Sequence, residues 1–294
     1  GGVVSGDPVG SGVELCRGTE PWTERQKLIG GASEESAFFG SSVVVAGSTL
    51  SVGSSSDGDG GSDAGAVYVF TREGAGWVQE QKIVPSDLAE DGQFGHPVAL
   101  DGDTFIIGSD ADDDGGRSSG SAYVFTRNEG SWSLQQKLIA QDAAEGNQFG
   151  FSVSVSGDTA LVGAIRGDDA VPDAGSAYVF VRNGTLWTLQ QQLVATDASE
   201  GDGFGWSVVA RYDTIVVGTP YRRDRGAAYV FTRVGDFWSE QATLVAGDAE
   251  PPSYFGESVS VSGDAVVVGA PSWNFVEYGP GSAHVFAQCA PPGG

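Results

Sequence analysis

A Phe-Gly pair recurs in this chain at Phe39, Phe94, Phe149, Phe204 and Phe255, in steps of 55, 55, 55 and 51 residues. No other feature limits the fold so sharply. A Val-Gly or Ile-Gly pair ends at Gly53, Gly108, Gly163, Gly218 and Gly269 with the same steps. One further slot holds Tyr68, Tyr123, Tyr178, Tyr229 and His284, and another holds Trp22, Trp77, Trp132, Trp187 and Trp238. A unit restated five times cannot bury its faces alone, so the copies must stack on one another.

The short step is confined to one place. Between Gly218 and Tyr229 the fourth unit is four residues shorter than its counterparts, while its other intervals are kept. Loops tolerate such a deletion and strands do not. Within a unit the texture is β. SVSVSGDTALVG alternates apolar and small polar residues around a Gly157–Asp158 turn, which reads as a tight hairpin. GSAYVF and the Trp-led run supply two more short strands rich in aromatic and branched residues. Four strands per repeated unit predict an all-β, five-bladed propeller of antiparallel blades.

Strand counting predicts how the ring closes. The chain opens with a lone Trp22 strand and its fifth unit stops after three, so the spare strand completes the last blade and leaves no open edge. One propeller is expected over residues 13–289, with residues 1–12 and 290–294 as linkers that would make it a bead of a larger surface protein. Cys16 and Cys289, the only cysteines, flank the spare strand and the unfinished blade. A latch disulfide there would contribute up to about 5–6 kcal/mol by chain entropy and would imply an oxidising compartment. Two free thiols are the other reading.

The Phe-Gly…Val-Gly-Ala-Pro phrasing, with Gly269, Ala270 and Pro271 complete, resembles FG-GAP repeats, the units of integrin α-chain propellers and of many bacterial and archaeal surface proteins. The resemblance spans about residues 22–286. It implies a propeller that is secreted or displayed at a cell surface. Integrin-type repeats number seven and hold calcium between Phe-Gly and Gly-Ala-Pro. Here that interval is a two-residue turn, so the family's calcium positions have no match.

Thirty-nine acidic residues face 15 basic ones, a formal net charge of −24. Such a surface repels phosphate backbones and excludes nucleic acid as a partner. No apolar run approaches the ~20 residues of a membrane helix, so membrane insertion is not expected. The chain contains no methionine, which leads to the expectation of a processed product.

The acidic loops lie between the Val-Gly and Ala-Tyr strands. They offer Asp57, Asp59 and Asp63 in the first unit, Asp110, Asp112 and Asp114 in the second, and Asp168, Asp169 and Asp173 in the third. Alternating carboxylates followed by glycine suit Ca²⁺, although no loop ends in a bidentate Glu. Solvated turns are the competing reading. A further recurrent aspartate (Asp87, Asp142, Asp197, Asp248) precedes each Phe-Gly after the first and is expected to cap local backbone amides. Arg166-Gly167-Asp168 spells an integrin-recognised tripeptide, read as coincidence in a chain rich in Gly and Asp. Asn183-Gly184-Thr185 is a glycosylation sequon on a hairpin, usable where the host glycosylates.

Functional chemistry must come from residues that break the repeat. The position two after each Phe holds Ser41, His96, Phe151, Trp206 and Glu257. With the first strand innermost, these gather at one mouth of an axial channel. Hydrolysis of a glycan needs a positioned pair of carboxylates, and this ring offers Glu257 alone. The expected function is a non-enzymatic binding, adhesive or structural module outside the cell. Its partners would be a surface protein or glycan, or copies of itself. A lectin using Trp206, Phe151, Trp273 and Tyr278 as platforms is the alternative, and a glycan-cleaving enzyme the second.

Overall fold

The structure, a computed structural model, describes residues 24–30, 37–168, 171–247, 253–271 and 281–288. The repeat becomes five antiparallel sheets in chain order. The first blade holds β1 (Phe39–Ala46), β2 (Thr49–Ser54), β3 (Ala66–Glu73) and β4 (Gly76–Ile83). The second holds β5 (Val98–Asp101), β6 (Thr104–Ser109), β7 (Ser121–Asn128) and β8 (Ser131–Leu138). The third holds β9 (Phe149–Ser156), β10 (Thr159–Ala164), β11 (Ser176–Asn183) and β12 (Leu186–Leu193). The fourth holds β13 (Ser207–Arg211), β14 (Thr214–Thr219), β15 (Ala227–Val234) and β16 (Phe237–Leu244), with a 3₁₀ turn at Arg222–Asp224. The fifth holds β17 (Ser258–Ser262), β18 (Ala265–Ala270) and β19 (Ser282–Ala287). Each sheet is a meander with strands in sequence order. The molecule is a five-bladed β-propeller.

The first strands of neighbouring blades contact one another, so they line the axis, the position supposed for them in placing the channel-mouth slot. The Gly157–Asp158 turn joins β9 to β10 as read from the sequence. Four hydrophobic cores fill the junctions between consecutive blades. Each centres on the Phe of a Phe-Gly pair, and Phe94, Phe149, Phe204 and Phe255 are all fully buried.

The glycines make the junctions close. Gly163 is backed so tightly by the next blade that a Cβ would lie 2.1 Å from the Gly205 carbonyl oxygen. Gly205 itself adopts φ +94°, a left-handed conformation that favours glycine. The Ser152 hydroxyl donates to that same carbonyl at 2.7 Å, and Ser42 and Ser207 repeat the contact at their junctions.

A second tie runs round the outside. The Gln136 side-chain amide donates to the Trp187 carbonyl and accepts from the Trp187 N–H, at 2.9 and 2.8 Å. It behaves as a borrowed peptide group joining the outer strands of two blades. Gln81 with Trp132 and Gln191 with Trp238 do the same. Gln26 treats Trp77 identically, and Leu28 packs on the first blade beside Tyr68 and Phe70. Residues 24–30 thus sit where the outer strand of a preceding blade belongs.

Between the fifth and first blades the described residues form no bridge. Gly65, Gly120, Gly175 and Gly226 each bridge the next blade's Phe, whereas Gly281 does not pair. Val45 is 60 % exposed, whereas its equivalents Val155, Ala210 and Val261 are at most 9 % exposed and Leu100 is half-buried. Val285 on β19 is likewise exposed, while Val179 is buried. The expected pairing of the N-terminal strand with β19 extends to Trp22, which lies outside the described residues, as do Cys16 and Cys289.

Candidate functional site

Two sets of chemistry-bearing residues emerge, one in the loops and one at the channel mouth. In the loops, the Tyr slot organises each blade. Tyr68 donates to Asp57 at 2.7 Å, and the Lys82 ammonium lies 2.8 Å from Asp57 and 2.5 Å from Asp59. Asp57 is fully buried. Burial works to raise its carboxyl, but Lys82, Tyr68 and the Asp59 amide together hold it below the usual carboxylate value. In the second blade Lys137 lies 2.9 Å from Asp112, 2.6 Å from Asp114 and 3.4 Å from Asp87. Asp112 also accepts from Ser121 and Tyr123. The ammonium groups sit 5.0 and 4.9 Å from the Tyr68 and Tyr123 ring centroids.

These positions bear on the proposed calcium ligands. The carboxylates of Asp57, Asp59, Asp112 and Asp114 surround lysine ammonium groups. Asp110 does not join Asp112 and Asp114 but faces His96, 3.6 Å away. Asp63 and Asp173 are turn residues with φ 48° and 52°. Asp168 accepts from the Asp173 amide at 2.8 Å, closing its own loop. Asp169 lies outside the described residues. Among the described residues, no three His, Cys, Asp or Glu side chains converge in a metal-ligating group.

The recurrent aspartate differs from its expected role. Instead of capping local amides, it reaches the next blade. Asp142 accepts from the Tyr178 hydroxyl at 3.0 Å, and Asp197 accepts from Tyr229 at 2.5 Å and pairs with Arg222. In the Asp57 slot the third and fourth loops hold Gly167 and Arg222, and there the aspartate of the incoming crossing accepts from the tyrosine. Asp248 lies outside the described residues. Asn183 and Gly184 are exposed at the β11–β12 hairpin, where the sequon was expected.

The second set stands at the channel mouth. Glu257, Trp206, Phe151 and His96 occupy one slot in successive blades, each set by a turn in which its N–H donates to the carbonyl before the Phe-Gly pair. Their rings meet in series. His96 to Phe151 is 5.8 Å between centroids and Phe151 to Trp206 is 4.8 Å. Trp206 continues to Tyr221 at 5.1 Å, and Tyr221 to Tyr254 at 5.7 Å. All five side chains keep some solvent exposure. Ser41, in the same slot of the first blade, is exposed and adds no ring.

Two carboxylates edge this arc. Burial raises the Glu257 carboxyl above its ordinary value, with the Trp206 indole N–H beside it working the other way. Asp110 is 4 % exposed. Its charge raises the His96 imidazole above the usual value against the opposing effect of burial. Sequence reasoning found four members of the arc, missed Tyr221 and Tyr254, and placed Asp110 in a calcium loop rather than beside His96. Tyr221 opens the shortened loop in a slot filled by Ser56, Ala111 and Arg166 elsewhere, so only its departure from them marks it. Tyr254 occupies a slot filled by Phe38, Gln93, Gln148 and Gly203 elsewhere, so only its departure from them signals a role. Trp273 and Tyr278 lie outside the described residues.

Among solved structures the chain is similar to a protein from Bacteroides uniformis provisionally assigned as a 6-phosphogluconolactonase. The two share 13 % identity with a TM-score of 0.55, over 84 % of this chain and 67 % of that one. At that identity the likeness speaks for the fold alone. No curated protein matches the chain. The sequence profile described as FG-GAP repeat matches residues 22–70, 77–125, 132–180, 187–231 and 238–286, one match per blade and together most of the chain. With its five repeats and five blades, this chain belongs to the FG-GAP repeat family.

Proposed function

We propose that this propeller is a non-enzymatic binding module, displayed outside the cell as an adhesive or structural unit, that takes its ligand at the mouth of the axial channel. One observation carries the reading. The residues that depart from the repeat, His96, Phe151, Trp206, Tyr221, Tyr254 and Glu257, collect in one continuous, partly exposed arc, while those that obey it build the frame. Partly exposed aromatics backed by a few polar groups are the usual lining of a ligand site. An enzymatic role finds less support, because Asp110 is engaged by His96 and among the described residues no second carboxylate is paired with Glu257. A lectin is the second reading, favoured by the exposed part of Trp206 beside Glu257.

For calcium, the same reading assigns Lys82 and Lys137 as built-in counter-cations of the first two acidic loops. The expected melting temperature then differs by less than about 1 °C between EDTA and millimolar calcium at matched ionic strength, since only a ligand of the folded state stabilises it. A clear calcium-specific rise would return those loops to metal binding. For the channel mouth, a surface-glycan and surface-protein array is the test. Capture by the wild type and its loss in Trp206→Ala support the site, and capture unchanged in that variant removes it.

A further inference from the structure

We propose that Trp206, Tyr221, Tyr254 and Glu257 form a cage for an organic cation, an ammonium group carrying alkyl or methyl substituents. The proposal rests on the channel-mouth reading and names its ligand class.

The geometry comes from two consecutive copies of one turn. Trp206 N–H donates to the Gly203 carbonyl, and Glu257 N–H to the Tyr254 carbonyl. Each turn holds the two ends of a Gly/Tyr-Phe-Gly-Trp/Glu segment against the mouth. The shortened loop delivers the third wall. The Tyr221 amide donates to the Asp202 carbonyl, and its ring lies over Gly203, where a Cβ would meet it at 3.1 Å. The result is three rings in a row, Trp206 at 88° to Tyr221 and Tyr221 at 87° to Tyr254. Each ring meets its neighbour edge to face and keeps part of its own surface open to solvent. The three rings do not offer the flat bed on which a sugar ring stacks.

Charge selects what the walls enclose. Aromatic faces attract cations through their quadrupole, most strongly where water is excluded. Glu257 is partly buried, and among the described residues no lysine or arginine pairs with it. The rest of the molecule shows how it treats this combination. Tyr68 with Asp57 holds Lys82, Tyr123 with Asp112 holds Lys137, and Tyr229 with Asp197 holds Arg222. Three times among the described residues, a tyrosine ring and an aspartate are completed by an internal cation. At the cage the rings and a carboxylate recur with no such cation among the described residues. The field of a chain with net charge −24 also draws cations toward the mouth and repels anions.

The direct test is calorimetric titration of the whole chain with tetramethylammonium and choline. The neutral isostere 3,3-dimethylbutan-1-ol and methyl glucoside are titrated alongside. Both cations are expected to bind, with the isostere weaker by about tenfold or more. Tyr221→Ala and Glu257→Gln should each weaken the cations by about tenfold. Tyr221→Phe should keep binding and show that the loop still folds, and Tyr212→Ala, on an exposed turn elsewhere, should change nothing. Equal binding of the neutral isostere, an unaffected Glu257→Gln, or no saturable binding of either cation would overturn the cage. Glucoside binding that disappears in Trp206→Ala, without cation binding, would overturn the cation while leaving the ligand site standing.

Discussion

The third and fourth blades meet through residues that the fifth and first blades also possess, yet the two regions differ in burial. Phe204, Val179 and Ala210 are buried at the internal junction. At the seam their counterparts Phe39, Val285 and Val45 retain solvent exposure. The repeat therefore encodes a pair of complementary faces, and burial is conferred by the neighbour. A core that forms only when two copies meet is the stacking logic of repeat proteins, and here it leaves one copy of each face exposed at the seam among the described residues.

Substitution can break or sharpen that contrast, beginning with the largest effect. Phe149→Ala at an internal junction should cost about 3–5 kcal/mol in chemical denaturation, and Phe39→Ala at the seam well under half of that. Equal losses would show that the seam is packed in solution as tightly as the other junctions. Next comes Gly163→Ala, which drives a Cβ into the Gly205 carbonyl and should cost about 3 kcal/mol. Gly269→Ala meets only the rotatable Ser258 hydroxyl and should cost under about 1 kcal/mol. A matching loss at Gly269 would place a neighbouring backbone against it. The smallest contrast lies on the rim. Gln136→Ala removes two hydrogen bonds and should cost about 1–2 kcal/mol, and Gln26→Ala, more exposed, about 0.5 kcal/mol.

Legibility from sequence followed the range of the interaction. The hairpin at Gly157–Asp158 and the position of the shortened loop were readable, because each depends on a few adjacent residues or on counting. The slot holding His96, Phe151, Trp206 and Glu257 was readable as one ring for the same reason. The role of Asp142 and Asp197 was not, since their partners Tyr178 and Tyr229 stand more than 30 residues away on another blade. Local patterns offered an Asx cap, and tertiary contact overrode it. The neutralisation of Asp57 and Asp112 did have a signal. Lys27, Lys82 and Lys137, the only lysines, are spaced by 55 residues, which marks a slot of the fold rather than three scattered surface charges.

The glutamine–tryptophan ties join the outermost strands of neighbouring blades, far from the axis. A torque that fans two blades apart has its longest lever arm there, so two hydrogen bonds at the rim oppose it more effectively than the same two beside the channel. Stiffness against splaying is thus concentrated at the circumference, and the hub, with its glycines and serines, is free to be shaped by close approach alone.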